Sequence, residues 1–449
     1  MYGLKYRKGE IDFITLGCSK NLVDAERVMR QLEAAGWRCI HDPAEPKGEI
    51  CVINTCGFIG DAKEESINMI LQMAERKKQG KLRKLIVMGC LSERYRAELE
   101  EELPEVDAYY GKFDFEKIVD SLKSEVDRSS KADSCQPYER KLTTPSHYAY
   151  LKISEGCDRM CSYCAIPLIT GRHTSRPMEE ILDEVRWLVA QGVKELNVIA
   201  QDLSSYGLDL SKGERTHLLP ELIDRMAQIE GVEWIRLHYA YPTDFPEELL
   251  EVMAKRPNVC KYLDIALQHC TDHMLSLMRR HITRAEQDAL IKKIRERVPG
   301  ICIRTTLLVG HPGETEEDFE ELKKWVKEMR FERMGCFAYS DEEGTYANRH
   351  YTDDVPENIK QARAAELMAI QQQISGELMS QLIGRTERVI IDRKEGDYWV
   401  GRTQFDSPEV DCEVLIENSG NGSLVIGDFY DVRIIRAEEF DLYGEIVNC

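Results

Sequence analysis

Nine apolar runs of strand length, each followed by a stretch of helical periodicity, constrain this chain more than any other feature. A strand reaches a parallel neighbour only through a crossover of a dozen or more residues, which a helix usually supplies. Alternation at this spacing therefore predicts parallel sheets in an α/β protein. Three runs, Ile11–Leu16, Ile50–Asn54 and Leu85–Met88, alternate with helices over Val23–Ala35, Ala62–Lys78 and Tyr95–Glu102, the pattern of a doubly wound sheet. A polar stretch, Asp127–Ser134, reads as a linker. Six runs follow: Ala149–Ile153, Glu195–Ile199, Trp234–Tyr239, Tyr262–Leu267, Cys302–Val309 and Met334–Tyr339. Helices are predicted between them over Met178–Ala190, Leu218–Gln228, Pro246–Lys255, Arg284–Arg297 and Glu316–Met329. Six such units predict a partial (βα)6 barrel rather than the closed eight-stranded form. A long helix over Pro356–Ile383 leads out of it. Short strands at Arg388–Asp392, Tyr398–Thr403, Cys412–Ile416 and Tyr430–Ala437, with a Gly420-Asn421-Gly422 turn, predict a small antiparallel β-barrel. The expected divisions are residues 1–135, 145–383 (including the long helix) and 384–449.

Met1–Lys8 runs straight into the first strand, without the apolar stretch and small-residue cleavage site of a signal peptide. No run approaches the roughly 18 apolar residues of a membrane span, so the expectation is a cytoplasmic protein with no membrane partner. The formal net charge of −20 repels a phosphate backbone and suits a basic protein. Fifteen cysteines in a reducing compartment point to metal ligands and buried thiols instead of disulfides.

Cys157, Cys161 and Cys164 follow the first barrel strand, where the functional loops of βα barrels lie. Three thiolates at this spacing can wrap one iron–sulfur cube, whose usual complement is four, leaving one iron open to a small chelating molecule. A zinc site is usually closed by four protein ligands, and His173, the nearest histidine, is nine residues on. Cys18, Cys56 and Cys90 each fall just after one strand of the first segment, where loops line a common crevice. Three thiolates converging there make a second three-cysteine site. Cys39, Cys51, Cys260, Cys270, Cys302, Cys336 and Cys412 read as packed thiols, and Cys135 and Cys449 have no evident ligand set.

The Cys157–Cys164 motif resembles the radical-SAM superfamily, whose open iron binds the amino and carboxylate groups of S-adenosylmethionine. The resemblance implies a cofactor cradle from Tyr163 within the motif, Gln201 and Asp202 after the second barrel strand, Gln268 after the fourth and Arg304 on the fifth. Gly310–Glu314, after the fifth strand, is a further candidate for the adenosine moiety. For each of these, loop capping or a structural salt bridge is the alternative.

Two three-cysteine sites on adjoining domains, with a small terminal barrel, resemble the radical-SAM methylthiotransferases over essentially the whole chain, the barrel being their TRAM domain. That resemblance implies two [4Fe-4S] clusters, at Cys157/Cys161/Cys164 and at Cys18/Cys56/Cys90, with S-adenosylmethionine as cofactor. Leu16–Asp24, Asn54–Ile59, Ser154–Asp158 and Asp406–Asp411 are most similar to the protein-directed branch, which methylthiolates the β-carbon of an aspartate in ribosomal protein S twelve. Ala266 and His281 depart from that branch's pattern, outside any ligand motif. The branch implies a target in or near the small ribosomal subunit, an electron donor such as flavodoxin and a sulfide source, with no tRNA. From Ser380 onward seven Lys or Arg stand against fifteen Asp or Glu, a net of −8, whereas a barrel that grips tRNA should be basic. The alternatives are a tRNA adenosine methylthiotransferase of the same family, which a basic stripe on the barrel would favour, and a non-catalytic iron–sulfur carrier, which would form no 5′-deoxyadenosine.

Overall fold

The computed structural model describes residues 5–125, 134–211, 216–417 and 424–447. Most of the expected linker, the Gly420-Asn421-Gly422 turn and Cys449 lie outside the described residues. The chain divides into two compact units. The first holds residues up to Thr143 with Glu155–Asp158 and Ala165–Arg172, and the second holds Thr144–Ser154, Arg159–Cys164 and the chain from His173 onward.

In the first unit the strands are β1 (Arg7–Thr15), β2 (Arg38–His41), β3 (Gly48–Thr55), β4 (Lys84–Gly89) and β5 (Ala108–Tyr109). They form one parallel sheet in the order β2-β1-β3-β4-β5. The helices are α1 (Ser19–Ala34), α2 (Gly60–Lys78), α3 (Cys90–Arg94), α4 (Arg96–Glu102) and α5 (Phe115–Lys123). Side chains alternate across the sheet: Ile50 and Val52 pack with Val28, Met29 and Ile118 on one face, Cys51 and Ile53 with Ile70, Met73 and Leu99 on the other. Burial on both faces is what reads as continuous apolar runs. The short edge strands β2 and β5 carry too few apolar residues to be seen in the sequence.

In the second unit β6 (Tyr148–Lys152) opens a six-stranded parallel sheet. Two-residue strands β7 (Ser154–Glu155) and β8 (Thr174–Ser175) stand before and after the cysteine motif. The sheet continues with β9 (Glu195–Ile199), β10 (Trp234–Ala240), β11 (Val259–Ile265), β12 (Cys302–Val309) and β13 (Arg333–Ala338), in the order β13-β12-β11-β10-β9-β6. Helix α6 (Ile166–Thr170) belongs to the first unit, and the principal helices of the second are α7 (Met178–Ala190), α8 (Leu219–Met226), α9 (Glu248–Lys255), α10 (Asp272–Leu277), α11 (Arg284–Arg297), α12 (Glu316–Met329), α13 (Tyr346–His350) and the long α14 (Glu357–Ser380). Thr283 with Glu286 and Thr315 with Asp318 form capping boxes that fix the starts of α11 and α12.

The C-terminal barrel comprises β14 (Thr386–Glu395), β15 (Tyr398–Thr403), β16 (Glu413–Glu417), β17 (Phe429–Ala437) and β18 (Asp441–Ile446), closed in the order β14-β15-β16-β18-β17. It is not wholly antiparallel, because β16 and β18 pair in parallel. The fifth strand, β18, closes the barrel and is not predicted by the sequence pattern.

The segment from Gln404 to Asp411 leaves the barrel and meets one face of the six-stranded sheet. Glu409 accepts hydrogen bonds from the Tyr148 and Tyr150 hydroxyls (3.1 and 3.2 Å). Asp411 accepts from the Tyr262 hydroxyl (2.7 Å) and from Arg304 (3.3 Å), and Asp406 pairs with Arg333 (2.5 Å). Beside them Glu195, fully buried, receives both Arg236 (2.9 Å) and Arg402 (2.8 Å), and Arg402 also pairs with Asp392 (2.6 Å). Among the described residues no helix is long and apolar enough to cross a membrane.

Candidate functional site

Cys18, Cys56 and Cys90 occupy adjacent strand ends. Register places Thr15 beside Asn54 and Asn54 beside Met88, so Cys18, Cys56 and Cys90 leave the sheet two or three residues beyond one row. Cys18 is the N-cap of α1, Cys56 follows β3, and Cys90 begins α3. Cys18 is exposed, and Cys56 and Cys90 are half-buried. Gly17 has φ +94°, and a Cβ there would stand 2.8 Å from that of Cys56, so only glycine lets these two loops approach.

Asn21 ties the three loops together. Its buried amide donates to the Leu16 and Thr55 carbonyls, each at 3.1 Å, and its oxygen lies 3.5 Å from the Cys90 sulfur. The Asn54 amide donates to the Asn21 carbonyl (2.8 Å). Lys112, 3% exposed, pairs with Asp24 and Glu155, each at 3.4 Å. Desolvation drives the Cys18 thiol up, but Lys20, Lys112 and the N–H groups of Asn21 and Lys20 outweigh it and hold the thiol below its ordinary value. Burial pushes Cys56 up and Cys90 up to about 12, against the pull of Lys112.

The second motif leaves β6. Cys157 is half-buried, and its N–H donates to the Gly171 carbonyl (3.2 Å). Arg159 donates to Asp202 (2.6 Å) and Ser205 (3.2 Å), anchoring the loop to the end of β9. Ser162 donates its N–H to Met278, accepts at its carbonyl from Ala347, and bonds His311 through its hydroxyl (2.9 Å). His311 is fully buried, and burial drives its pKa down to about 4, so the ring is neutral.

Cys161 meets a guanidinium that the sequence did not disclose. Arg280 Nη1 lies 3.3 Å from its sulfur and 3.3 Å from the Tyr163 hydroxyl, and Nη2 donates to the Ala266 carbonyl. The Tyr241 hydroxyl is 3.5 Å from the same sulfur. Arg280 Nε is buried with no hydrogen-bond partner, and among the described residues no carboxylate pairs with this side chain. A buried cation without a counter-ion is costly; an anionic thiolate carrying a metal cluster supplies one, so the donor set suits an iron–sulfur group.

The other expected cradle residues divide in two. Gln201 and Gln268 stand half-buried beyond the carboxyl ends of β9 and β11, Gln268 in the left-handed region (φ +71°). Asp202 stands there too but is engaged by Arg159, Ser204 and Ser205. Arg304 is the third residue of β12, in the half of the strand remote from that end, where it bridges Asp264 (3.4 Å) and Asp411 (3.3 Å). Among the described residues no three His, Cys, Asp or Glu side chains group to hold a single metal ion; a cubane sets its cysteine sulfurs farther apart than one ion does.

The comparisons agree with this layout. Residues 151–326 match the radical SAM superfamily, residues 10–111 the uncharacterized protein family UPF0004 and residues 383–447 the TRAM domain. A radical S-adenosylmethionine methyltransferase from Kitasatospora setae, TsrM, shares the fold with TM-score 0.53 at 15% identity, covering 74% of this chain and 75% of its own. The class is therefore a radical-SAM enzyme with a TRAM barrel. Ribosomal protein uS12 methylthiotransferase RimO of Phocaeicola vulgatus is 62% identical over 441 residues, 98% of this chain and 100% of its own. RimO of Bacteroides thetaiotaomicron is 62% identical over 443 residues, 98% and 99% of the two chains. At that identity over the full length, the chain belongs to the ribosomal protein uS12 methylthiotransferase family.

Proposed function

We propose that the chain adds a methylthio group to the β-carbon of an aspartate in uS12, using one [4Fe-4S] cluster at Cys157, Cys161 and Cys164 and a second at Cys18, Cys56 and Cys90. The observation that carries the two-cluster reading is the emergence of Cys18, Cys56 and Cys90 from three neighbouring parallel strands tied by Asn21. When bound, the clusters with S-adenosylmethionine supply a radical able to take hydrogen from an unactivated carbon and the sulfur group to replace it.

The protein supplies the placement. Asn21 holds three loops in one register, and Ser162 and Arg159 fix the second motif to its surroundings. Tyr163, Gln201 and Gln268 are the side chains best offered to S-adenosylmethionine, whereas Asp202 secures Arg159 and Arg304 secures the C-terminal barrel. The acidic barrel, net −8 from Ser380 onward, suits a basic protein substrate over tRNA. A flavodoxin-like electron donor, a sulfide source and a cytoplasmic setting complete the reading.

Anaerobically reconstituted enzyme with S-adenosylmethionine, reductant and sulfide tests it, with uS12 and tRNA offered in parallel and analysed by mass spectrometry. One methylthio group gained on a uS12 aspartate is expected. A gain on tRNA with uS12 untouched would overturn the substrate assignment, and a Cys18→Ala variant that keeps its full iron complement would overturn the second cluster.

A further inference from the structure

We infer that Arg280 sets the reduction potential of the radical-generating cluster by holding its guanidinium against the Cys161 sulfur. The inference rests on the reading of Cys161 as a ligand. It starts from an inequality among buried arginines. Arg236 and Arg402 both meet Glu195, and Arg363 meets Glu314. Arg280, only 2% exposed, has no carboxylate among the described residues. Its donors go to the Cys161 sulfur, the Tyr163 hydroxyl and the Ala266 carbonyl.

The surroundings fix it there. The guanidinium lies 4.0 Å from the centre of the Tyr241 ring, and Arg159 lies 4.4 Å from the same ring. The Tyr241 hydroxyl bonds the Arg280 carbonyl (3.3 Å), and Thr243 donates to it as well (2.9 Å). Both the side chain and the backbone of Arg280 are therefore held from the loop that follows β10. Arginine stays protonated in proteins and presents a rigid planar fork, so the charge is permanent and aimed.

One-electron reduction adds a negative charge to a cluster. A fixed cation and an N–H hydrogen bond at a ligand sulfur favour the reduced form, because net charge and hydrogen bonding to sulfur are among the factors that set such potentials. Arg280 is a positioning residue in this sense: it acts through Cys161.

The test is a potentiometric titration with dithionite, followed by electron paramagnetic resonance. The full-length chain carries Cys18→Ala, Cys56→Ala and Cys90→Ala, so that one cluster is observed. In Arg280→Gln the ratio of reduced to oxidised cluster at a fixed potential is expected to fall at least tenfold, about 59 mV for a one-electron couple. Arg280→Lys keeps the charge without the fork, and its midpoint is expected between the two. An Arg280→Gln midpoint equal to the parent's, with iron content and visible spectrum unchanged, overturns the inference. If the Gln variant holds no cluster, Arg280→Met, which removes the charge and the donors but fills similar space, takes its place, and a parent-like midpoint there overturns the inference. Cys161→Ala that keeps all its iron would refute the ligand reading itself, a result distinguishable from the others.

Discussion

Replacing Asn21 by alanine removes the tie between three strand-end loops. Two amide–carbonyl bonds, a part-buried one to Leu16 and a buried one to Thr55, are lost at about 1 kcal/mol each. Thr55 is fully buried, so its carbonyl finds no water in exchange and adds to the cost. The total is roughly 2–4 kcal/mol, which for a unit of this size lowers the apo melting temperature by about 5–10 °C. The effect on the site should be larger than on the fold, because the loops lose their common register. Iron and acid-labile sulfide per chain, measured after reconstitution in a Cys157→Ala/Cys161→Ala/Cys164→Ala background, read that loss directly. Asn21→Asp is the control: it keeps the shape but cannot donate to either carbonyl, and it should be as severe as alanine. An alanine variant with unchanged melting temperature and full iron loading would refute the reasoning.

Glu195→Ala leaves Arg236 without its carboxylate and should cost about 3–5 kcal/mol, whereas Glu179→Ala, which breaks an exposed pair with Arg225, should cost under about 1 kcal/mol; denaturant unfolding of both compares them. Arg304→Ala should lower stability yet leave S-adenosylmethionine affinity within about twofold, while Gln268→Ala weakens that affinity, as equilibrium binding would show. The neutral, buried His311 predicts a pH effect of definite sign. Its pKa is depressed to about 4, so its contribution to stability is complete above the ordinary histidine value and is lost as the pH falls toward 4, at a cost of about 3 kcal/mol. His311→Gln should therefore lose less stability than the parent between pH 7.5 and 4.5, and parallel losses in denaturant unfolding would contradict this.

The long parallel strands were legible because both faces are buried. Glu195–Ile199, Cys302–Val309 and three flanking helices fall at their expected bounds. Strand ends were legible for the same reason, and with them the positions of the six cysteines relative to the sheets. Short or edge elements were not: Arg38–His41 and Ala108–Tyr109 are too brief, and β18 alternates too weakly. Partners distant in the chain were hidden altogether. Arg280 finds Cys161 across 119 residues, and Arg304 finds Asp411 across 107. An Arg279-Arg280 pair just after an apolar helix was the only local sign of the first. Asn21 stood inside the Leu16–Asp24 run, but nothing there announced that its amide reaches three loops.

The segment from Gln404 to Asp411 makes the C-terminal barrel something other than a removable appendage. Cutting the chain after α14 would strip Tyr148, Tyr150, Tyr262 and Arg333 of their carboxylates, leave Arg304 with Asp264 alone, and uncover a wet, charged sheet face. A chimera fitted with another barrel would inherit the same debt unless its corresponding loop carried acids at the three matching places. Interchange of this module is thus governed less by what the barrel grips outside than by how it keys into the sheet.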